Sequence, residues 1–346
     1  MKKIVLLNAD ISDSFSNLKN TFKQEWESKD SIEKLKHTIQ KLGYSAILIE
    51  PKKDYDKLLT ICKKIIKEVH LGKIHREEVI FFNLVEGFFS RNREGYIPSI
   101  AEFFGFPHTG SDSYAQSITL NKNLCKLFAK KLKIPVKNHF LIRNNEELKK
   151  IKLKSKKYFW KPNLEGSGIA IDIKNILSSQ NDLTHLEKEI NKYSELLIEE
   201  YLPGDELTIG VMGNRGKYKA TQLAKVTYPG RVYGYAVKSK SKMPERLEFG
   251  FDKDQEKKLQ GYSIRLSEEI GVSGYARYDF KCDEKGNPYF LEGNLTCGLS
   301  IQYSTFPICY THSFQKKYSD MVEEILNLAV EEFKEKRFLY GKMRLE

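Results

Sequence analysis

Four side chains near the C-terminal end of the chain have the types and spacing that phosphoryl-transfer chemistry requires. Arg277 and Asp279 lie two residues apart in an apolar, aromatic segment, and Glu292 and Asn294 lie two residues apart in a later one. The turn-forming run 283–288, DEKGNP, separates these segments, so we predict two strands joined by a turn. Residues two apart on a strand share a face, and the four side chains therefore converge at one end of the hairpin.

This group of side chains suits a magnesium ion and a phosphoryl group. Mg²⁺ prefers oxygen ligands and keeps positions for water and phosphate, and Asp279, Glu292 and Asn294 supply such oxygens. An arginine beside them suits the charge that spreads over a phosphoryl group during transfer. The alternative is an amphipathic hairpin whose charges are simply solvated.

A second pattern of this kind lies near the middle of the chain. Lys161 and Pro162 lead into the run 163–168, NLEGSG, between two predicted strands. Glycines let backbone N–H groups approach phosphate oxygens, and a lysine adds a positive point charge. The run lacks the Gly-Lys-Ser/Thr ending of a Walker loop, and a plain glycine turn is the alternative.

The composition favours a multidomain protein of a reducing compartment. The 346 residues can fill two or three modest domains. The formal net charge is +12, yet lysines mix with glutamates, as in EELKK at 146–150, so we expect solvated helix faces and no nucleic-acid partner. The five cysteines are dispersed, which argues against a disulfide framework and a zinc site. With no long apolar run and no signal peptide, we expect a cytoplasmic protein without membrane contact.

Strand and helix signals alternate in the first third of the chain. They fall, in order, at strand 3–8, helix 32–42, strand 44–50, helix 58–69 and strand 79–84. Asp30 or Ser31 can cap the first helix. This order predicts a parallel sheet with helices on its faces, and ligands gather at the carboxyl ends of such strands.

The rest of the chain predicts two further α/β domains. The expected elements are helix 117–131, strand 139–142, helix 145–153, strands 158–161 and 170–173, helix 183–192 capped by Asn181 or Asp182, strand 195–200, strand 207–212 and a last helix 318–336. We place the domain limits at 1–117 for an N-terminal parallel α/β domain, 118–205 for a central domain and 206–346 for a C-terminal domain.

The hairpin and the glycine run resemble parts of the ATP-grasp enzymes, and most closely the D-alanine–D-alanine ligases. In that family a strand with Arg-x-Asp is followed by a strand ending in Glu-x-Asn and by a loop that Gly298 and Ser300 match, with Cys297 in place of a proline. Other matching segments, in the family's order, are NLVEG at 83–87, PHTGS at 107–111, Lys122, KP at 161–162, EGS at 165–167, and EEYL at 199–202 with Glu206. The resemblance runs to about residue 330 and implies an α/β ATP-grasp fold of three domains. ATP would lie between the central and C-terminal domains.

The resemblance also implies a nucleotide site. Lys122 and Lys161 match the family's two phosphate-binding lysines. The loop that closes over the triphosphate contains Glu165, Gly166 and Ser167. In the adenosine cleft the implied residues are Glu199 and the Leu202 backbone at the adenine, Glu200 beside them, and Glu206 at the ribose hydroxyls. An ordinary acidic linker is the alternative interpretation of 196–206.

The implied reaction activates a carboxylate as an acyl phosphate, which an amine then attacks. Asp279, Glu292 and Asn294 would bind two Mg²⁺ ions, with Mn²⁺ as an alternative metal. Arg277 would stabilise the phosphoryl group and the tetrahedral intermediate, and the Gly298 N–H would donate to the oxyanion. The resemblance implies that Ser167 also takes part in catalysis.

The substrate end departs from the D-alanine enzymes. Their N-terminal glycine-rich loop is missing, and Glu25 is the nearest candidate for the carboxylate that holds the first substrate's amine. Their Ala-Lys-Tyr becomes Val-Lys-Ser at 237–239, which removes the usual tyrosine. Tyr303 stands where they carry a serine, and Ser304 is one place further on. We therefore expect an amine substrate other than D-alanine, with Lys238 and Lys240 as candidates to meet an acidic or larger one.

The sequence thus predicts an ATP-dependent, ADP-forming carboxylate–amine ligase acting on small-molecule substrates, either amino acids or small peptides. The first alternative is a true D-alanine–D-alanine ligase of cell-wall synthesis. The second is a non-catalytic nucleotide-binding regulatory protein, which the complete metal-side set argues against. A carboxylase-like enzyme lacks support because no biotin-related segment occurs. The sequence leaves open whether the protein forms a homodimer.

Overall fold

The structure is a computed structural model that describes residues 3–14, 26–87, 90–154, 157–166, 168–228 and 246–345. Its helices are α1 (Lys29–Lys41), α2 (Tyr55–His70), α3 (Tyr96–Phe104), α4 (Ser113–Leu120), α5 (Lys122–Lys131), α6 (Asn145–Lys149), α7 (Leu186–Tyr193), α8 (Lys253–Ile270), α9 (Thr305–Phe314) and α10 (Tyr318–Leu345). Its strands are β1 (Ile4–Ala9), β2 (Ser45–Ile49), β3 (Val79–Leu84), β4 (His139–Ile142), β5 (Tyr158–Pro162), β6 (Ile176–Leu177), β7 (Leu196–Glu200), β8 (Glu206–Gly213), β9 (Lys219–Ala220), β10 (Ala224–Thr227), β11 (Arg246–Glu248), β12 (Gly274–Cys282) and β13 (Pro288–Asn294). No helix within these ranges is both long and apolar enough to cross a membrane.

The first sheet confirms the predicted parallel arrangement. Its order is β2-β1-β3, and both neighbours of β1 run parallel to it. The cap of α1 was predicted wrongly: Ser28 is the N-cap, and its hydroxyl accepts a hydrogen bond from the Ser31 N–H at 3.2 Å. The helix therefore begins before Asp30, which lies in its first turn where a carboxylate suits the helix dipole.

The second sheet is antiparallel, in the order β4-β7-β5-β6. The strand predicted at 170–173 is wrong. Gly168 and Ala170 both have positive φ, at 75° and 59°, so the chain turns there and pairs only at β6. Turn hydrogen bonds from the N–H groups of Ile169 and Ile171 satisfy the backbone instead of a sheet ladder.

Four helix predictions needed correction. The helix expected at 117–131 is two helices, because Asn121 leaves the helical region (φ −80°, ψ 96°) and caps α5 with its side chain. Helix α7 starts after a 3-10 turn, so His185 precedes it rather than Asn181 or Asp182. Helix α6 stops at Lys149. Helix α10 extends to Leu345, beyond the predicted end.

The third sheet carries the predicted hairpin. Its order is β11-β10-β8-β12-β13, with β9 paired to β8. Strands β12 and β13 are antiparallel neighbours, with Arg277 opposite Asn294 and Asp279 opposite Glu292. Asp283 closes the turn by accepting the Asn287 N–H at 2.9 Å. The domain limits at 117/118 and 205/206 stay a prediction.

Candidate active site

Two adjoining cavities contain the predicted site residues that the structure describes. The first lies between the second and third sheets, and the second lies between the third sheet and the N-terminal part of the chain. The first is lined by Lys122, Lys161, Glu165, Gly166, Glu199, Glu200, Leu202, Glu206, Arg277, Asp279 and Glu292. The second is lined by Lys122, Gly166, Arg277, Glu292, Asn294 and Gly298, and also by residues from the first hundred residues of the chain. Lys122, Gly166, Arg277 and Glu292 therefore border both cavities. Ser167, Glu25, Lys238, Ser239 and Lys240 lie outside the described residues.

A buried ion cluster forms the floor of the first cavity. The Glu199 carboxylate lies between two ammonium groups, with Lys161 Nζ 2.8 Å from its Oε1 and Lys126 Nζ 2.9 Å from its Oε2. The exposed fractions are 4% for Glu199, 5% for Lys161 and 1% for Lys126. Burial alone would raise the pKa of Glu199, but Lys126 and Lys161 lower it to about 2. The carboxylate is therefore ionised at neutral pH.

The Lys126 ammonium is a residue that the motif comparison missed. Besides the ion pair it donates to the Phe290 carbonyl at 3.1 Å, which joins α5 to β13. Burial lowers the pKa of Lys126, and the charge of Glu199 opposes that shift. Its position four residues after Lys122 puts both lysines on one face of α5, so helical spacing from Lys122 could have indicated it.

The end of the first cavity beside Glu206 holds a further cation. Lys281 Nζ lies 3.4 Å from Glu206 Oε2 and 3.2 Å from the Tyr228 hydroxyl. The rings of Phe159 and Tyr201 are stacked with centroids 6.3 Å apart, and both residues line this cavity. Lys281 shares a strand face with Asp279, which is the signal that could have indicated it.

The junction of the two cavities contains the arginine and the oxygen side chains of the hairpin. Arg277 donates from Nε to both oxygens of Asp279, at 3.0 and 3.2 Å, and from Nη2 to Oδ2 at 2.9 Å. The same carboxylate accepts from Thr208 Oγ1 at 2.7 Å and from Asn294 Nδ2 at 3.0 Å. Lys122 donates to the Glu165 carbonyl and lies 3.7 Å from Glu292 Oε2. Positive groups and carboxylates thus alternate across the junction.

The oxygens at this junction have the chemistry that magnesium prefers. Glu292 and Asn294 follow each other on one face of β13, and Asp279 stands opposite Glu292 on β12. Asp279 already accepts five hydrogen bonds, so a metal there would replace part of its contact with Arg277 or Asn294. Over the described ranges, no group of three or more Asp, Glu, His or Cys side chains is arranged as a ready-made metal site.

Glu27 lines the second cavity and accepts hydrogen bonds from several distant residues. Its Oε1 accepts from the N–H groups of Leu299 at 2.9 Å and Ser300 at 3.2 Å. Its Oε2 accepts from Ser31 Oγ at 2.9 Å and from the Tyr303 hydroxyl at 2.6 Å. Glu27 thereby ties the start of α1 to the loop after β13, and it is a second candidate beside Glu25, which lies outside the described residues. The serine cap that follows Glu27 was the available signal.

The loop after β13 needs glycine at position 298. A Cβ added to Gly298 would lie 2.7 Å from Ser304 Oγ and 2.9 Å from Glu27 Oε1. The neighbouring Cys297 is buried, and burial raises the pKa of its thiol to about 12, so it stays protonated at neutral pH. Tyr303 and Ser304 both line the second cavity. Burial and the Glu27 carboxylate raise the pKa of Tyr303, which keeps its hydroxyl a donor.

The sequence is similar to the sequences of D-alanine--D-alanine ligases. The family model described as D-ala D-ala ligase C-terminus matches residues 128–327. The D-alanine--D-alanine ligase of Thermotoga petrophila is 25% identical over 314 residues, which cover 90% of this chain and 93% of that protein. That of Pelagibacter ubique is 28% identical over 86% of this chain and 89% of that protein.

Solved structures of D-alanine--D-alanine ligases have the same fold as this chain. The D-alanine--D-alanine ligase from Bacillus anthracis complexed with ATP superposes with a TM-score of 0.71 at 17% identity, covering 96% of this chain and 99% of that one. The ligase from Coxiella burnetii superposes with a TM-score of 0.70 at 16% identity over the whole of both chains. The predicted α/β ATP-grasp fold is therefore confirmed.

Proposed function

Since the chain belongs to the D-ala D-ala ligase C-terminus family and is an ATP-dependent, ADP-forming carboxylate–amine ligase, we propose that it joins two molecules of D-alanine. The curated relatives that it matches carry that activity in their names. The observation that carries the proposal is the pair of adjoining cavities with Arg277, Lys122, Glu292 and Gly166 at their junction. The first cavity has charged and aromatic groups that suit a nucleotide, and the second has groups that suit a small polar substrate.

In the first step a carboxylate oxygen of one D-alanine attacks the γ-phosphorus of ATP, which gives an acyl phosphate and ADP. Lys122 and Lys161 would bind the phosphates, and the Glu165–Gly166 segment would cover them. The adenine would meet Glu199, Glu200 and the Leu202 backbone, with Glu206 at the ribose hydroxyls. The pairing of Lys281 with Glu206 would orient that carboxylate.

In the second step the amine of the other D-alanine attacks the acyl carbon. The C–O bond to phosphate breaks, phosphate leaves with the electron pair, and the amine loses a proton. Arg277 would stabilise charge on the phosphoryl group and on the tetrahedral intermediate, and the Gly298 N–H would donate to the oxyanion. Closure of the site protects the acyl phosphate from water.

Magnesium, when bound at Asp279, Glu292 and Asn294, would neutralise charge that develops on the transferred phosphoryl group. Two ions fit the role, and Mn²⁺ has the same oxygen preference. Glu27 is our candidate for the carboxylate at the first substrate's amine. An ammonium there would replace the hydrogen bond from the Tyr303 hydroxyl, because the other donors to Glu27 are two buried backbone N–H groups and the hydroxyls of Ser31 and Ser304.

A second candidate function differs only in the amine. Tyr303 lines the second cavity at the position where the D-alanine enzymes carry a serine, so its bulkier ring would take space that a small amino acid needs. This observation favours an acceptor other than D-alanine.

The test is release of ADP and phosphate with D-alanine as sole substrate, followed by D-alanine with pooled amino acids and dipeptides. We expect saturable formation of the dipeptide with a KM in the millimolar range or lower. Turnover only when another amine is added would replace the proposal with the second candidate. No ADP release under either condition would reject both.

The position of Glu292 at the junction of the two cavities predicts that its carboxylate binds Mg²⁺. Glu292→Ala should raise the Mg²⁺ concentration for half-maximal rate by roughly tenfold or more, since one oxygen ligand is lost. The matched control is Glu284→Ala, because Glu284 is an exposed carboxylate in the turn of the same hairpin. An unchanged Mg²⁺ requirement in the Glu292 variant would show that this carboxylate is not a ligand.

A further inference from the structure

A groove at the β4 edge of the second sheet is lined by lysines. The groove holds about 730 Å³ and is bordered by α5, β4 and the segment that follows α6. The charged residues on it are Lys130, Lys137, Lys150, Lys152 and Lys154, against a single carboxylate, Glu200. We call this cavity the lysine groove.

The positive charge of the lysine groove is largely unneutralised. In the part of the chain that the structure describes, Lys130, Lys150, Lys152 and Lys154 make no ion pair, whereas the adjacent Lys149 pairs with Glu146 at 3.1 Å. Only Lys137 has an acidic neighbour, Glu200, at 3.8 Å. Like charges held together without counter-charges repel one another, so an anion bound among them would be stabilised.

The three lysines after α6 are held in place by the backbone between them. Exposure alternates along 150–154, with Ile151 8% exposed and packed in the core of this sheet while the lysines are exposed. The Gln180 side chain fastens the segment by donating to the Ile151 carbonyl at 2.7 Å and accepting the Leu153 N–H at 3.0 Å. The anchored apolar residues therefore direct Lys150, Lys152 and Lys154 to one side.

We propose that the lysine groove binds a small oligophosphate, such as a chain of condensed phosphates. Its volume is that of a small-molecule site, too small for a duplex. Lysine ammonium groups are flexible point charges that suit phosphate oxygens without fixed geometry, and the groove has no arginine to select a planar carboxylate. Glu200 lines both the lysine groove and the first cavity, so the bound anion lies next to the nucleotide cavity.

The experiment is calorimetric titration of the full-length protein with inorganic tripolyphosphate, with and without saturating ADP. The variant is Lys150→Gln, Lys152→Gln, Lys154→Gln, and we expect its Kd to rise at least about tenfold. The matched control is Lys63→Gln, Lys64→Gln, Lys67→Gln, which removes the same charge from an exposed face of α2 and should bind as the wild type does. Replacement of the three groove lysines by arginine should retain binding.

Several outcomes would overturn the proposal. Equal affinity of the groove variant and the wild type would place the phosphate elsewhere, and an equal loss in the α2 control would indicate general charge attraction only. Abolition of binding by ADP would assign the phosphate to the nucleotide cavity. Tighter, groove-dependent binding of a short oligothymidylate would make the ligand a nucleic acid. Binding that survives ADP and is lost only in the groove variant supports the site.

Discussion

Arg277→Ala is expected to lower kcat by about 10² or more and to change nucleotide affinity little, because the lost group acts on charge that develops during the reaction. The guanidinium stands at the junction of both cavities, and Asp279 fixes its direction through three hydrogen bonds of 2.9–3.2 Å. A group positioned in advance in this way needs no reorganisation when the phosphoryl group moves. Steady-state kinetics with ATP binding measured separately will check it.

Two controls separate this role from a structural one. Arg277→Lys keeps the charge but loses the fork that binds Asp279, and should recover only part of the rate. Arg265→Ala removes an exposed arginine from α8 and should leave kcat unchanged. Near-normal turnover of Arg277→Ala, with an unchanged thermal midpoint, would contradict the assignment.

The parts of the fold that the sequence predicted well depend on local patterns. Strand, helix and turn signals alternate clearly in the first sheet, and DEKGNP at 283–288 marks the hairpin turn, so the face shared by Arg277 and Asp279 followed from strand geometry. Helices α3, α8 and α9 were not predicted. Helix α9 is buried on several sides, so its apolar residues show no single-faced spacing.

The parts that could not be predicted depend on contacts between distant segments. Glu27 contacts Leu299 and Ser300 across more than 270 residues of sequence, and the serine cap that follows Glu27 does not by itself predict those contacts. The strand expected at 170–173 has suitable residue types, yet the positive φ of Ala170 is imposed by its surroundings. The sequence around Lys126 is typical of a solvent-exposed helix face, whereas in the structure the side chain of Lys126 is buried.

Lys126→Met should lower the free energy of unfolding by about 3 kcal/mol, because the substitution keeps much of the volume but leaves one oxygen of a buried carboxylate without its cation. Lys161 still holds Glu199 Oε1, so the loss falls at the lower end of the range for a broken buried pair. The Phe290 carbonyl also loses its donor. Urea unfolding followed by circular dichroism provides the measurement.

The control for this variant is Lys131→Met, five residues further along α5. Lys131 pairs with Glu269 at 2.5 Å, but its side chain is 68% exposed, so the loss should stay below about 1 kcal/mol. A similar loss of unfolding free energy in both variants would mean that the buried Lys126–Glu199 pair stabilises the fold no more than the exposed Lys131–Glu269 pair does.

The pH dependence of the same pair gives an independent check. The pKa of Glu199 is lowered from 4.5 to about 2 in the folded protein, so its charge stabilises the fold fully above about pH 4.5, and this contribution is lost as the pH falls towards 2. The difference in stability between the wild type and Lys126→Met should therefore be largest near neutral pH and shrink below about pH 4.5. A difference that stays constant from pH 7 to pH 3 would indicate that Lys126 contributes through packing and the Phe290 hydrogen bond rather than through the charge of Glu199.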